Sequence, residues 1–489
     1  MIMTRRAHRC RSGSGSPEAL PYGRMSQASI KPVSSLRADL ASIVGEQGVL
    51  EGAAVRERGA ALFHGRVDAE LLVRPRSTAQ VSAVLGLCHA RGQPVVTHGG
   101  LTGLVQGADA GRGELVLSLE SMNAIERVDV AGRSLRAQAG VQLGRVQREA
   151  EEHGMVFPLD LGARDSATVG GNISTNAGGL RVLRYGMMRN LVLGIEAVLA
   201  DGTVLTSLNR MLKNNAGYDL KQLFIGSEGT LGVVTRAELR LVSRTRSQET
   251  LLASLPTFDA MVDLLGRLDS GLGGQLAAFE ALWGNYYDYN TLPAAGNAAP
   301  LARGAPFYVV AEALGGDPEH DRARLEAVLG EALEAGVVSD VVIASSETER
   351  RAIWAIREDV WEVGNIAPLL TFDVSLPIEN MKAYVDEVGA GVQALAGDNR
   401  CFVFGHMADG NLHIVVAAGD DAGTRARVEG IVYRPLATIG GSVSAEHGIG
   451  LEKRAYLPLS RTPAEIATMR LLKQALDPKG ILNPGKVFA

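Results

Sequence analysis

Residues 160–186 read DLGARDSATVGGNISTNAGGLRVLRYG, and the fold turns on what this stretch is for. It interleaves glycines with Ser166, Thr168, Asn172, Ser174, Thr175 and Asn176. Glycine lets the backbone take positive φ and lets a ligand come close, while successive amides can point at an anion. Small polar side chains beside such amides suit a pyrophosphate and a flavin ring. A loop so rich in glycine is costly in chain entropy, which makes a purely structural role the weaker reading. Two further clusters flank it. HGGLTGLVQG at 98–107 lies between apolar strands and, taken alone, reads equally well as a set of tight turns. GYDLKQLFIGSEGTLGVVT follows at 217–235. No GxGxxG follows an early strand with an acid downstream, and there is no GxxxxGK[ST], GxSxG or HExxH. A Rossmann dinucleotide site, ATP hydrolysis, a serine hydrolase elbow and a zincin helix are therefore not suggested.

The 58 glycines in 489 residues exceed the roughly 7% of an average chain. The length predicts two or three domains. With 46% hydrophobic and 21% charged residues and a net charge of −5, the chain is not wholly disordered. It also lacks the basic excess of a nucleic-acid binder. No run approaches the ~18 apolar residues of a membrane span. Cys10, Cys88 and Cys401 form no CxxC, which suits a reducing compartment. Residues 1–28 read as a disordered or processed leader, with Arg5, Arg6, Arg9, Arg11 and Arg24 against Glu18. A cytoplasmic location is expected, with organellar targeting by the basic leader left open.

From Leu71 short strands alternate with helices. LLV at 71–73 is a strand, and 78–90 is a helix with Thr78 as its N-cap. A second helix covers 143–152 and stops at Gly154, and 195–205 is a hairpin around Asp201-Gly202. Beyond about residue 245, helical runs at 258–268 and 321–335 and the strand FYVVAEAL at 307–314 predict a second, α+β domain.

PLDLGARDSATVGGNISTNAGG, RYG, LGIEAVLADGTVL, GYDLKQLFIGSEGTLGVVT, GHMADGNLH, SAEHGIGLEKR and LDPKGILNPGKV occur in that order. Together they resemble the FAD-linked D-2-hydroxy-acid dehydrogenases, near the D-2-hydroxyglutarate and D-lactate or glycolate group. These lie within the vanillyl-alcohol-oxidase-type flavoproteins. The resemblance implies an α+β fold with a two-subdomain FAD-binding domain over 29–242 and a substrate or cap domain over 243–430. A C-terminal segment, 431–489, would return to the flavin. It further implies that Gly99, Gly100, Leu101, Thr102 and Gly103 hold the pyrophosphate. Gly162, Ser166, Thr168, Gly171, Asn172, Thr175, Asn176 and Gly179 would line the flavin and its diphosphate. Glu228, Gly229 and Val233 would lie near the ribityl and adenine side, and Asn483 and Lys486 would come back from the C-terminus. Close relatives hold FAD non-covalently, which sets His98 aside as a covalent anchor.

GHMADGNLH places His406 and His413 seven apart, around an Asp409-Gly410-Asn411 turn, and AEHG places Glu446 beside His447. Two imidazoles and a carboxylate make a reasonable Zn²⁺ or Mn²⁺ set with an open position, though polar residues stabilising a turn explain the same letters. The resemblance implies that His406, His413 and Glu446 hold a divalent metal, zinc before manganese. It implies that His447 is the general base and that Arg357, in the pattern Trp354, Arg357, Glu358, clamps the α-carboxylate. A neutral imidazole can take the hydroxyl proton as hydride leaves for the flavin.

Three departures bear on substrate. Thr371 stands where hydroxyglutarate enzymes carry Lys, Val415 replaces an Asn, and Trp361 replaces a small hydroxylated residue. A buried carboxylate without a partner is expensive. The expectation is therefore a monocarboxylic D-2-hydroxy acid, D-lactate-like or with a larger apolar side chain. D-2-Hydroxyglutarate is the alternative, and another alcohol substrate or a non-catalytic accessory flavoprotein stands behind it. The electron acceptor (quinone, electron-transfer flavoprotein, cytochrome or oxygen) is not written in the sequence. A homodimer is allowed.

Overall fold

The computed structural model describes residues 33–58, 65–360, 366, 368–398, 400–419 and 421–488. The leader at 1–28 and Trp361 lie outside them. Among the described residues the strands form three sheets and a two-stranded ribbon.

The first sheet holds β1 (Val49–Glu51), β2 (Leu71–Val73), β3 (Val95–His98) and β4 (Leu115–Ser118), in the order β1-β2-β4-β3. β2 and β3 both run parallel to β4. Parallel neighbours need a crossover, and the helix Thr78–Arg91 lies between β2 and β3, burying Val81, Val84, Leu85 and Cys88. Its N-cap is Ser77, whose hydroxyl accepts from the Gln80 amide, and not Thr78 as the sequence suggested. Ser77 keeps an extended backbone, whereas the Thr78 hydroxyl is drawn to the buried Glu196 carboxylate at 2.5 Å. Tertiary pairing moved the helix start by one residue.

The second sheet and ribbon use β5 (Ile125–Asp129), β6 (Ser134–Gln138), β7 (Met155–Val156), β8 (Val192–Val198), β9 (Val204–Ser207), β10 (Val233–Arg240) and β11 (Val242–Ser243). The sheet order is β5-β6-β10-β8-β9, antiparallel throughout, and β7 pairs with β11. The Asp201-Gly202 hairpin forms as read, with Gly202 at φ +90°.

The third sheet is built from β12 (Ser247–Leu255), β13 (Leu276–Trp283), β14 (Phe307–Gly315), β15 (Asp340–Ile343), β16 (Leu369–Ser375), β17 (Cys401–Gly405) and β18 (Asn411–Ala417). Its order is β15-β12-β14-β13-β17-β18-β16. Side chains alternate between faces. One face presents Leu251, Phe279, Val309, Ala311 and Ile414 to a core shared with residues of helices Phe258–Gly271, Pro318–Glu334, Ile378–Ala396 and Ala422–Tyr433. The other presents Leu282, Val310, Phe404 and Val415 to helices Gly284–Asn290 and Glu347–Glu358. Glu280 and His413 share that second face by register. Full burial of Tyr286 and Tyr287 there contributes roughly 1.5–3 kcal/mol per large apolar side chain.

After the helix Pro463–Leu476 the chain returns to the first sheet. The Val95 amide donates to Ile481 at 2.7 Å and the Asn483 amide to Val95 at 2.8 Å.

Candidate active site

The glycine clusters converge. A Cβ on Gly100 would lie 2.0 Å from the Ser166 carbonyl oxygen, and one on Gly99 would lie 2.7 Å from the Thr168 hydroxyl. Position 100 can therefore seat against the Ser166 backbone only as glycine. Leu101 takes φ +57° and Thr102 and Gly103 complete the turn. Thr168 caps the helix Val169–Thr175 by accepting from the Gly171 amide, and Asn176 closes it at φ +51°. The Thr175 hydroxyl donates to the Gly171 carbonyl at 3.1 Å. Ser166 and Gly162 are exposed along the same loop. Gly179, at φ +128°, packs so that a Cβ would meet the Asp160 carbonyl at 2.0 Å.

Several polar atoms around this cradle are buried without a protein partner, among them Asn172 Nδ2, Thr97 Oγ1 and Asp109 Oδ1. Buried polar groups in folded proteins are ordinarily bonded, so these atoms await a ligand. The cradle thus fits a dinucleotide such as FAD. Asn483 accepts from the Thr97 amide at 2.9 Å and donates to the Glu228 carbonyl at 2.6 Å. The buried Lys486 ammonium donates to the Asp109 carbonyl at 2.8 Å. Gly229 abuts Asn483. The Val233 side chain packs in the core of the first sheet. The Glu228 carboxylate accepts from the amides of Ile449 and Gly450 at 2.7 and 2.8 Å, tying the C-terminal loop down. His98 is buried and its Nε2 contacts the Ala108 carbonyl, and burial pushes its pKa down to about 4.

The charged cluster lies on the third sheet. β17 delivers His406 and β18 delivers His413, joined by a short 3₁₀ turn in which Gly410 takes φ +89°. The two rings are 5.3 Å apart, and His413 lies 6.2 Å from His447. Among the described residues, two groups of three could hold a metal: His406, His413, Glu446 and Asp373, His413, His447. The donor atoms of each group lie within 4.8 Å of one another.

Asp373 separates the two. Its Oδ2 accepts from the amides of Ala445, Glu446 and His447 at 3.0, 2.8 and 3.0 Å, and its Oδ1 accepts from Asn411 Nδ2 at 2.8 Å. Burial works against the Asp373 charge, but His447, Lys453, His413 and these amides hold its carboxyl far below the usual range. It is saturated as the anchor of the 444–447 loop. In the other group Glu446 still has its Oε2 and His406 its Nε2, approached only by Arg357 at 3.4 Å, so His406, His413 and Glu446 are the set that better fits a divalent metal. Glu446 also accepts from the Gly179 amide at 2.6 Å, joining this cluster to the cradle.

Arg357, near the end of the helix Glu347–Glu358, is 6% exposed. Its Nε donates to Glu280 at 2.7 Å and its Nη2 lies 3.4 Å from His406 Nε2. The other Glu280 oxygen is 2.6 Å from His406 Nδ1. Burial opposes a charge on His406 while Glu280 favours it, and the balance pushes the imidazole up to about 9. The Arg357 approach suits a bare Nε2. Both states carry a proton on Nδ1. Burial lowers the pKa of His447, leaving it neutral near pH 7, and pushes Glu446 up.

Sequence reasoning brought Arg357, His406, His413, Glu446 and His447 together and missed Glu280 and Asp373. The one signal for these two was a lone acid inside an apolar strand, in LAAFEALW and LLTFDVS. Of the three substrate departures, Val415 is packed in an apolar cluster with Phe402 and Phe404, and Thr371 is exposed opposite it across β16 and β18.

Two family models match the chain: an FAD binding domain over residues 69–207, and the C-terminal domain of FAD linked oxidases over 244–487. The mitochondrial D-2-hydroxyglutarate dehydrogenase of Bos taurus is 39% identical over 425 residues, covering 86% of this chain and 77% of that one. D-2-Hydroxyglutarate dehydrogenase of Xanthomonas citri pv. viticola is 40% identical over 422 residues, covering 85% and 88%. The crystal structure of p-cresol methylhydroxylase with substrate bound shares the fold, with a TM-score of 0.72 at 15% identity over 93% of this chain and 96% of that one. The relatives from Bos taurus, Danio rerio, Arabidopsis thaliana and Rattus norvegicus are named as mitochondrial, which corrects the cytoplasmic expectation. Sparse cysteines report a reducing environment and do not tell one reducing compartment from another. The chain is an FAD-dependent oxidoreductase acting on a D-2-hydroxy acid, and it belongs to the FAD-linked D-2-hydroxy-acid dehydrogenases of the vanillyl-alcohol-oxidase type.

Proposed function

We propose that the chain oxidises D-2-hydroxyglutarate to its 2-oxo acid, in place of the monocarboxylic substrate that Thr371, Val415 and Trp361 suggested. The reading rests on one observation: Arg357, His406, His413, Glu446 and His447 meet on one face of the third sheet, tied to the glycine cradle through Glu446 and Gly179. Relatives at 39–40% identity that are named for this substrate support the choice of acid. Val415 is an apolar packing residue, so its lost amide says little about the ligand. A positive charge is still at hand on the cradle side. Arg164 is ion-paired to Asp160 at 3.1 Å on the loop that carries the cradle. We assign the distal carboxylate to Arg164.

Arg357 receives the α-carboxylate on the guanidinium edge that Glu280 leaves free, where a planar fork suits a planar acid. His447 takes the hydroxyl proton on its neutral ring. His406, His413 and Glu446 hold the divalent metal, zinc or manganese. Bound metal supplies a Lewis acid for the hydroxyl, and bound FAD supplies the hydride acceptor.

Anaerobic addition of hydroxy acids to the flavin-loaded protein tests this, with loss of the band near ~450 nm as the readout. D-2-Hydroxyglutarate should bleach it rapidly, the L-isomer should not, and Arg164→Ala should raise KM for the dicarboxylate while leaving D-lactate unaffected. Faster bleaching by D-lactate than by D-2-hydroxyglutarate overturns the substrate assignment.

A further inference from the structure

Glu280 lies within β13, fully buried. Its two oxygens reach two different parts of the site. Oε2 accepts from Arg357 Nε at 2.7 Å, and Oε1 faces His406 Nδ1 at 2.6 Å. A carboxylate oxygen at that distance requires a proton on Nδ1. Arg357 Nη2, always a donor, stands 3.4 Å from Nε2, which is the same tautomer reached from the other side of the ring. Nε2 is then the nitrogen left to face Glu446, 4.0 Å away.

We propose that Glu280 is a positioning residue that sets the metal ligand and the carboxylate clamp with a single side chain. It fixes His406 with the proton on Nδ1, so that the Nε2 lone pair is the one a metal would take in place of the Arg357 contact, and it holds Arg357 through Nε, so that the remaining N–H groups are left for a carboxylate. This rests on the reading of the site given above. The α-hydroxyl and α-carboxylate sit on adjacent carbons, so the groups that receive them must keep a fixed offset. One residue bonded to both sets that offset, whereas two independent supports could drift apart. Outer partners that orient metal-bound histidines commonly matter 10–100-fold for metal affinity.

Glu280→Gln separates this role from ordinary burial. An amide has one acceptor and one donor end. If its oxygen faces His406, its NH₂ opposes Arg357 Nε–H and the clamp is released. If its oxygen faces Arg357, its NH₂ opposes Nδ1–H and drives the proton to Nε2, so the metal ligand is lost. Zinc affinity is measured on the flavin-loaded, metal-stripped protein by chelator competition. Oxalate affinity is measured on the zinc-saturated protein from the shift of the flavin spectrum. In E280Q at least one of the two dissociation constants should rise about tenfold or more, with FAD content retained. Glu280→Asp keeps the charge but is one methylene short of spanning both partners, and it should weaken one of the two while folding normally. Glu312→Gln is the control: Glu312 is equally buried on the adjacent strand but is bonded to Gln248, Thr250, Trp354 and Arg181. It should leave both constants within twofold.

Zinc and oxalate affinities of wild-type strength in folded E280Q, or in E280D if E280Q does not fold, overturn the proposal. So does equal loss in E312Q. A wild-type chain that takes up neither zinc nor oxalate overturns the reading of the site itself, which is a distinct result.

Discussion

The two halves of the candidate active site are made of different materials. Around the cradle, the 98–103 turn meets the 166–171 segment through backbone atoms, at distances where a single methyl group does not fit. On the third sheet the work falls to buried charged side chains, Glu280, Arg357, Asp373 and His406, each 6% exposed or less. A backbone cradle has no side-chain rotamers to order, though its glycines cost chain entropy, and it recognises shape. A buried charge cluster recognises chemistry, but it holds only while every member is paired, since an orphaned charge in the interior is costly. Damage to the first should therefore be graded with volume. Damage to the second should be abrupt.

His447→Asn should separate chemistry from assembly most sharply. Loss of a general base typically costs 10²–10⁴-fold in rate, and flavin bleaching in stopped flow should slow by that order. The flavin spectrum and zinc content should stay as in the parent protein. If bleaching is unimpaired, the base is another group.

Asp373→Asn reaches the loop that carries both Glu446 and His447. The amide cannot replace a carboxylate that accepts from Ala445, Glu446 and His447 and stands beside the buried Lys453, whose ammonium donates to the Asp373 and Val443 carbonyls. Breaking a buried charge pair on one side costs on the order of 3–5 kcal/mol. Denaturant unfolding should register it, and hydrogen exchange should find the amides of 445–447 deprotected. Unchanged protection there would mean that the loop is held by Glu228 through Ile449 and Gly450 instead.

The cradle is probed by a matched pair. Gly100→Ala places a methyl group against the Ser166 carbonyl and should cost about 1–3 kcal/mol in stability or flavin retention, the usual range for overpacking. Gly316→Ala adds the same methyl group in open space at an exposed position that belongs to no part of the cradle, and should be close to silent. Equal effects of the two would refute the packing account of the cradle.

The same contrast explains what the sequence could be made to say. The cradle is contiguous: its glycines, its capping Thr168 and its left-handed Asn176 fall within a few dozen letters, so composition alone pointed to a cofactor. The clustered histidines were also local, in GHMADGNLH and AEHG. Glu280 and Asp373 were not, because each is a single acid in an apolar strand. Its partners come from elsewhere in the chain, separated from Glu280 by 77 and 126 residues. A lone acid in such a strand is worth flagging, since charge is almost never fully buried unpaired. Thr78 erred in the opposite way: local capping rules could not know that Glu196 would claim its hydroxyl. Val415 was read as a substrate contact from a motif, but register places it on a packed apolar patch.

The return of the C-terminal residues to β3 sets a schedule for synthesis. Asn483 closes a hydrogen bond to the Thr97 amide across a sequence separation of 386, and Lys473 fastens the Thr230 and Leu482 carbonyls. At ~5–20 residues per second, a ribosome needs roughly 20–80 s to make that distance. Through most of that interval the first sheet is complete in its own strands but lacks its last stitch. The first sheet must wait, with β3 as an open edge, while the whole of the third sheet is translated.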